Sequence, residues 1–384
     1  MNKKTTRKQQ YTETVSDLYL AFELGAPKWK LAFSIGLGQK PRLRNINVRD
    51  LGALQKEIAA AKKRFHLPSD TRVLSCYEAG RDGFWLHRYL TSIGIENSVV
   101  DSSSIEVNRR KRRAKTDRLD AEKLVQMLIR FHFFGDRKVW SVVCVPSPEE
   151  EDRRQMHRER YALKKERNRT MNRIRGLLAT QGIRLGSGMN LTDRELASIR
   201  LWDGSLLPAR LRNRLKREWQ HVMFIKDQLA ALERERSDEM RQAKEPDLGK
   251  VKGLQILRGI GEVSSWVIVR EFFGWRKFQN RKEVGSLAGF TGTPYDSGTG
   301  KKEQGISKAG NRHIRSVAVE LAWSWIRFQP DSVITQWFKK RFADGGKRAR
   351  KVGIVAVARR LLIALWRFLE WGVIPEGAKL KATA

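Results

Sequence analysis

An α/β domain followed by mainly helical segments is the architecture this sequence predicts, and three observations predict it. Apolar runs of strand length alternate with helical periodicity up to about residue 131. Two long, strongly charged stretches follow, with apolar residues spaced three and four apart. The remainder is punctuated by glycine and becomes rich in tryptophan, at Trp323, Trp325, Trp337, Trp366 and Trp371.

The elements follow in order. After a polar leader (residues 1–17), LYLAFEL at Leu18–Leu24 is a buried strand, and Leu31–Ile35 is a second, joined to it as a hairpin. Asp50–Phe65 has helical periodicity behind an acidic N-cap. Thr71–Tyr77 is strand-like and ends at Glu78; Phe84–Ile93 is a helix, Ser98–Asp101 a short strand, and Asp117–Phe131 a helix again. An initial hairpin followed by alternating strands and helices gives a mixed sheet, placed at residues 18–147. Residues 148–250 hold two helices, 148–181 and 206–243. The second carries one stripe at Leu211, Leu215, Val222, Ile225, Leu229 and Leu232. A hairpin within the chain and a coiled coil between two subunits both satisfy that stripe, and a dimer or tetramer is expected. A third domain spans 251–330, and a basic helical extension fills 331–384.

Charge limits the partners. Against 42 Asp plus Glu stand 77 Lys plus Arg, for a net charge of +35 over 384 residues. Such an excess favours polyanions, because binding phosphates releases counterions. A membrane surface fits less well, since the cations run along the whole chain. The apolar stretch Val352–Leu369 is broken by Arg359, Arg360 and Arg367, which marks an amphipathic helix and not a span. The two cysteines, Cys76 and Cys144, encode neither a disulfide framework nor a four-ligand zinc site. With no apolar leader visible, a cytoplasmic, nucleoid-associated location is expected.

Metal-assisted phosphoryl chemistry needs carboxylates converging on one or two Mg²⁺ (or Mn²⁺) ions. Glu23 and Glu78 end strands, where α/β sites form. Asp117 and Asp120 are three apart, and so share one face of a helix. Taken singly, each has a structural alternative: a surface carboxylate, a helix cap or an ion-pair partner. Taken together, two strand-end glutamates and an Asp-x-x-Asp helix form a specific combination. The run Arg109, Arg110, Lys111, Arg112, Arg113 and Lys115 just before it is suited to holding a phosphate backbone. The helix from Arg153 to Arg175 adds Lys164, Lys165, Arg167, Arg169 and Arg173 as candidate nucleic-acid contacts.

In the third domain, Leu254–Gly261 resembles a helix-hairpin-helix turn, whose backbone N–H groups suit a phosphate, or else a plain glycine turn. Ser297 lies in a Gly-rich loop, where a hydroxyl can approach phosphorus unhindered, or is one turn serine among many. Lys308, Asn311, Arg312 and Arg315 are candidate phosphate ligands around it.

Two blocks carry a family resemblance. Ala114-Lys115-Thr116-Asp117-Arg118-Leu119-Asp120-Ala121 resembles the K-T-D-x-x-D-A signature of the DEDD insertion-sequence transposases, the Piv invertase-like, bridge-RNA-guided recombinases. Leu287-Ala288-Gly289 through Ser297-Gly298, with Lys308-Ala309-Gly310-Asn311 beyond, resembles that family's L-A-G-x-x-P-x-x-x-S-G … K-x-G-N block. The resemblance implies a RuvC-like (RNase H-like) N-terminal domain, a helical coiled-coil middle and a mainly α transposase domain. It also implies a Mg²⁺-binding tetrad at Glu23, Glu78, Asp117 and Asp120, with Ser297 as nucleophile in a composite site. DNA and a structured non-coding guide RNA are the implied partners. At the first tetrad position the family has Asp and this chain has Glu23, whose extra methylene moves the carboxylate. Two other functions compete: a RuvC-like structure-specific nuclease using metal-activated water, and a non-catalytic nucleic-acid-binding protein.

Overall fold

The computed structural model describes residues 17–105, 117–186, 188, 190–242, 244–297, 300–342 and 344–381, and for 295–297 and 300–303 the backbone alone. The basic run Arg109, Arg110, Lys111, Arg112, Arg113 and Lys115 and nearly all of the polar leader lie outside the described residues. The chain divides into two compact units at Val145/Pro146.

The first unit is mixed α/β. Strands β1 (Leu18–Leu24), β2 (Lys28–Ser34) and β3 (Arg42–Asn47) precede α1 (Leu51–Arg64). Then come β4 (Val73–Glu78), α2 (Trp85–Ser92), β5 (Glu96–Val100) and α3 (Asp117–Phe133). The sheet order is β3-β2-β1-β4-β5, with β1–β2 and β2–β3 antiparallel and β1–β4 and β4–β5 parallel. The hairpin joining the first two strands and the mixed sheet are as the sequence predicts. The third strand has no counterpart in the predicted elements. It lies at the sheet edge and buries only Ile46.

β1 is central and apolar along nearly its whole length, so both its faces are covered. One face, with Leu18, Leu20 and Phe22, packs in a core with Leu54 and Ile58 of α1 and Leu86 and Leu90 of α2. The other, with Tyr19 and Ala21 beside Leu74 and Cys76 of β4, meets Ala121, Leu124 and Leu128 of α3. Asp50 caps α1 by accepting from the Ala53 N–H at 2.8 Å, which fixes its start where the sequence places it.

The second unit is mainly helical. It contains α4 (Pro148–Asp152), α5 (Gln155–Ala179), α6 (Asp193–Ser198), α7 (Ala209–Gln242), α8 (Leu248–Gln255) and α9 (Glu262–Ile268). A π-helical turn (Val269–Phe273) and α10 (Arg281–Leu287) follow. A hairpin of β6 (Gly292–Ser297) and β7 (Gly300–Ile306) then leads to α11 (Arg312–Phe328), α12 (Val333–Phe342) and α13 (Lys347–Trp371). The helix predicted over 148–181 is two helices. The break falls at Arg153 and Arg154, where the Arg154 side chain turns inward, its guanidinium 4.9 Å from the Trp275 ring.

α5 and α7 pair within the chain as an antiparallel hairpin. Arg173 bridges to Glu218, Glu166 contacts His221 and Arg160 faces Glu233, so numbers fall along one helix as they rise along the other. Leu215 and Val222 of the predicted stripe are buried against Ile174 and Leu178 of α5. α13 turns Ile354, Val357, Leu361 and Leu365 into the largest core, as an amphipathic helix with three-and-four spacing must. Gly353 permits the close approach of α12, since a Cβ there would lie 2.6 Å from the Phe342 ring. No described helix is long and apolar enough to cross a membrane.

Candidate functional site

In the first unit the acidic residues gather at one edge of the sheet. Phe22 of β1 pairs with Tyr77 of the parallel β4, so Glu23 and Glu78 follow side by side at the carboxyl ends. Side chains alternate along a strand, so Glu23 has the parity of Tyr19 and Ala21, and Glu78 that of Leu74 and Cys76. Those four residues form the face covered by α3. The two carboxylates therefore belong to the face of the sheet that carries the Asp-x-x-Asp helix.

The direction of α3 brings its aspartates toward that edge. Cys76 Sγ lies 3.9 Å from the Leu124 carbonyl, while His132 Nδ1, one residue before the helix ends, lies 3.9 Å from Glu96 at the start of β5. α3 therefore runs antiparallel to β4. From Leu124 back to Asp120 is about 6 Å along the helix, and from Cys76 on to Glu78 about 6.6 Å along the strand. Asp120 thus stands level with Glu78, and Asp117 one turn beyond it. Burial, with the neighbouring charge of Glu78 second, pushes the Cys76 thiol well up, so it is an inert core residue.

Glu23 and Glu78 line one cleft of about 310 Å³ together with Asp82. Asp82 is 12% exposed in its side chain and 3.5 Å from Arg81. It sits in the turn after β4, where Gly-Arg-Asp-Gly reads as ordinary turn chemistry, so sequence reasoning passed over it. Asp117 and Asp120 do not line this cleft. Among the described residues no three His, Cys, Asp or Glu side chains stand close enough together to hold one metal ion. By type the tetrad suits Mg²⁺, since all four are hard oxygen donors.

In the second unit, Ser297 closes β6 opposite Gly300, at the tip of the hairpin. The base of that hairpin is clamped by backbone pairing. Ser307 N–H donates to Thr291 O (2.7 Å), Lys308 N–H to Gly289 O (3.2 Å) and Asn311 N–H to Leu287 O (2.8 Å). The two segments cross so tightly that glycine is required on both. A Cβ on Gly310 (φ 114°) would lie 2.4 Å from Leu287 O, and one on Gly289 (φ 75°) 2.5 Å from Ala309 O. The glycines of the two motif blocks thus hold the serine strand at its root.

The predicted phosphate ligands sit at this root and not at the tip. Five residues of β6 separate the two, about 17 Å at strand rise. Asn311 caps α11, accepting from His313 and Ile314 N–H, and donates from Nδ2 to Glu271 at 2.8 Å. Arg315 reaches the Ala288 carbonyl at 3.3 Å, Arg312 is exposed, and Lys308 holds a left-handed backbone (φ 56°). The Leu254–Gly261 turn packs on α11, where Ser324 donates to Gly259 O at 2.7 Å. On α5, Lys164, Lys165 and Arg169 are exposed and Arg167 is half-buried, whereas Arg173 is held by both oxygens of Glu218. Burial first, then the charges of Arg160 and Arg167, lower the Lys164 pKa, which marks a crowded cationic face.

Glu271 is the residue that sequence reasoning missed. It is fully buried in the π-helical turn, a distortion that recurs at functional sites. Its carboxylate receives Arg158 Nε at 2.5 Å and Nη2 at 3.1 Å, faces His157 Nε2 at 2.9 Å and accepts from Asn311. Burial alone would raise its pKa. The bonds from His157 and Arg158 outweigh that and hold it well below the usual carboxylate range. The group pins α5, the π turn and α11 together beneath the hairpin. An Arg-Glu pair inside the apolar run WVIVREFF was the available signal.

Comparison with known proteins places these observations. Residues 252–337, from α8 through the hairpin into α12, match the family model described as Transposase IS116/IS110/IS902 family. The chain is 37% identical over 379 residues to the putative transposase y4rJ of Sinorhizobium fredii, covering 95% of this chain and 94% of that protein. The transposase for insertion sequence element IS1328 of Yersinia enterocolitica is 26% identical over 213 residues, covering 54% of this chain and 58% of that one. A probable family 20 transposase of Pseudomonas aeruginosa is 24% identical over 245 residues, 64% of this chain and 68% of that one.

Proposed function

Because the chain belongs to the IS116/IS110/IS902 family of insertion-sequence transposases, enzymes that recombine DNA, we propose that it cuts and rejoins DNA through a covalent serine–phosphate intermediate. The observation that carries the metal-assisted part of this reading is the placement of Glu23, Glu78 and the Asp117/Asp120 helix end on one face and at one edge of the sheet. The serine step rests on the family match over residues 252–337, which covers Ser297. We read the first unit as RuvC-like on that arrangement and on its mixed five-stranded sheet.

Ser297 is the nucleophile. Its Oγ attacks a phosphodiester phosphorus, the Oγ–P bond forms and the P–O3′ bond breaks. The serine proton is given up as the leaving 3′ oxygen gains one. The 5′ phosphate stays on the serine, so a second 3′ hydroxyl can attack it, restoring the serine and sealing a strand without net hydrolysis. Glu23, Glu78, Asp117 and Asp120 would hold Mg²⁺, which supplies charge neutralisation at the phosphoryl oxygens. Four carboxylates drawn together repel by about 4 kcal/mol per pair at 4 Å near a surface, which a divalent cation offsets. The clamp at Gly289 and Gly310 and the pin at Glu271 keep the hairpin root rigid beneath a serine at its tip. Lys164, Lys165, Arg167 and Arg169 on α5 contact phosphate backbone, of DNA and of a structured guide RNA.

The test uses cells carrying the whole mobile element, so that any guide RNA is supplied. Protein covalently attached to DNA ends is sought on a denaturing gel for the wild type, Ser297→Ala and Asp120→Ala. An adduct in the wild type and in neither variant is expected. Cleaved DNA without an adduct, unaffected by Ser297→Ala, would overturn the serine step and leave a metal-dependent nuclease.

A further inference from the structure

Beyond the tetrad and the hairpin, a cavity of about 760 Å³ opens between α12 and α13 in the C-terminal extension. Five cations line it: Arg281 and Lys282 at the start of α10, and Arg359, Arg360 and Arg367 along α13. A single carboxylate, Glu376, faces them. None of the five makes an ion pair with a described carboxylate. Nothing in the serine or acidic chemistry uses this groove.

Its other lining is apolar. Trp337, Val333, Val373 and Ile374 border it, and the last three are 46%, 55% and 45% exposed. Arg360 stacks over the Trp337 ring, its guanidinium carbon 3.9 Å from the centroid, which forms a flat cationic platform. The far wall is fixed and not a loose tail. Val333 N–H donates to Glu376 O at 3.1 Å, Lys379 pairs with Asp331 at 2.6 Å, and Gly377 crosses the Asp331 carbonyl.

A ligand for this groove must be anionic along one side and flat and apolar along the other. A duplex offers phosphates outward and keeps its bases stacked inside, so it would leave the apolar wall unused. A cavity of this volume is of small-ligand size. An acidic peptide would meet the cations but offers a flat face only where it carries an aromatic side chain, whereas every nucleotide carries one. We propose that this groove binds an unpaired nucleotide strand, its phosphates on Arg281, Lys282 and Arg367 and its bases against Trp337, Val373 and Ile374. The inference does not depend on the serine reaction, because a chain that binds without cutting would carry it equally.

The full-length chain is titrated with labelled 12-nucleotide single strands, deoxy and ribo, of one mixed sequence, and with a 20-base-pair duplex. Anisotropy is read across roughly 50 to 200 mM salt. Two variants are compared, Arg281→Gln/Arg367→Gln and the exposed-surface change Val373→Ser/Ile374→Ser, each checked for an unchanged Tm. Single-strand affinity is expected to fall about tenfold in each, with duplex affinity held within about twofold. The charge variant should also flatten the single-strand salt slope by about 1.4, at 0.7 per phosphate contact. The stronger of the deoxy and ribo arms identifies whether the strand is DNA or RNA. Unchanged single-strand binding in the second variant, which alters only exposed side chains, would overturn the proposal. An equal loss for the duplex would do the same.

Discussion

Carboxylates are used in opposite ways in the two units. Glu271 is fully buried and closed in by His157, Arg158 and Asn311, so its charge is spent on holding three elements in place. Glu23 and Glu78 stand at strand ends beside a cleft of about 310 Å³, half-buried and exposed respectively, where a ligand can reach them. The two settings differ in access, not in residue type. A buried carboxylate with committed donors resists titration, whereas carboxylates at an open edge remain within reach of solvent and ligands.

The largest effect that would break this comparison is on activity. If the acidic edge acts as proposed, Glu23→Gln and Asp120→Asn should each lower DNA cleavage by more than about a hundredfold, with Tm nearly unchanged, because each replaces a charged carboxylate with a neutral amide at an accessible edge. Glu23→Asp should keep cleavage within about tenfold, which an excision assay in cells would read. If Glu23→Gln instead unfolds the protein and leaves cleavage per folded molecule intact, the edge is structural.

Glu271→Ala should do the reverse. Removing one partner of a buried charged group costs about 3–5 kcal/mol, a fall in Tm on the order of 10 °C by calorimetry. Gly310→Ala comes next, at about 1–3 kcal/mol, because its φ of 114° and the Leu287 carbonyl leave no room for a methyl group. A Gly310→Ala protein of wild-type stability would mean that the crossing at the hairpin root is looser than described.

Acid sharpens the contrast further. The Glu271 carboxyl is depressed below its ordinary 4.5, so its contribution is complete above that value and is lost as pH falls through and below the usual carboxylate range. Tm of the full chain should therefore drop below about pH 4 more steeply than Tm of Glu271→Gln, which has no proton to gain. Parallel curves would remove the pin from the account. The smallest effect is on binding. Lys165→Gln or Arg169→Gln on α5 should reduce the salt slope of nucleic-acid affinity by about one each, and nothing else.

Much of this was legible in the sequence, and the exceptions share a cause. β1 stands where LYLAFEL places it, since a central strand buried on both faces is a continuous apolar run. Glu23 and Glu78 were readable because acidic residues end such runs. β3 was not, because an edge strand with only Ile46 buried has no alternation to show. The strands β6 and β7, rich in Gly, Pro, Asp and Lys, read as loop. They pair because Leu287–Thr291 and Ser307–Asn311 are held together, a contact no local pattern announces. The break between α4 and α5 likewise rests on Arg154 finding Trp275, more than a hundred residues away. Glu271 needed the same kind of information: its position was visible, its partners were not.

The separation of those partners has a consequence for how the molecule is made. Arg158 and Glu271 are 113 residues apart, and Asn311 comes 40 residues later still. Closing a loop of that length carries a large entropic cost before any contact is gained, whereas the α5–α7 hairpin between them can form as it is synthesised. The seat beneath the hairpin draws on all three segments and is complete only once Asn311 has been synthesised. A chain broken off before that point carries the β6 strand without the Asn311 contact that completes the anchor beneath it.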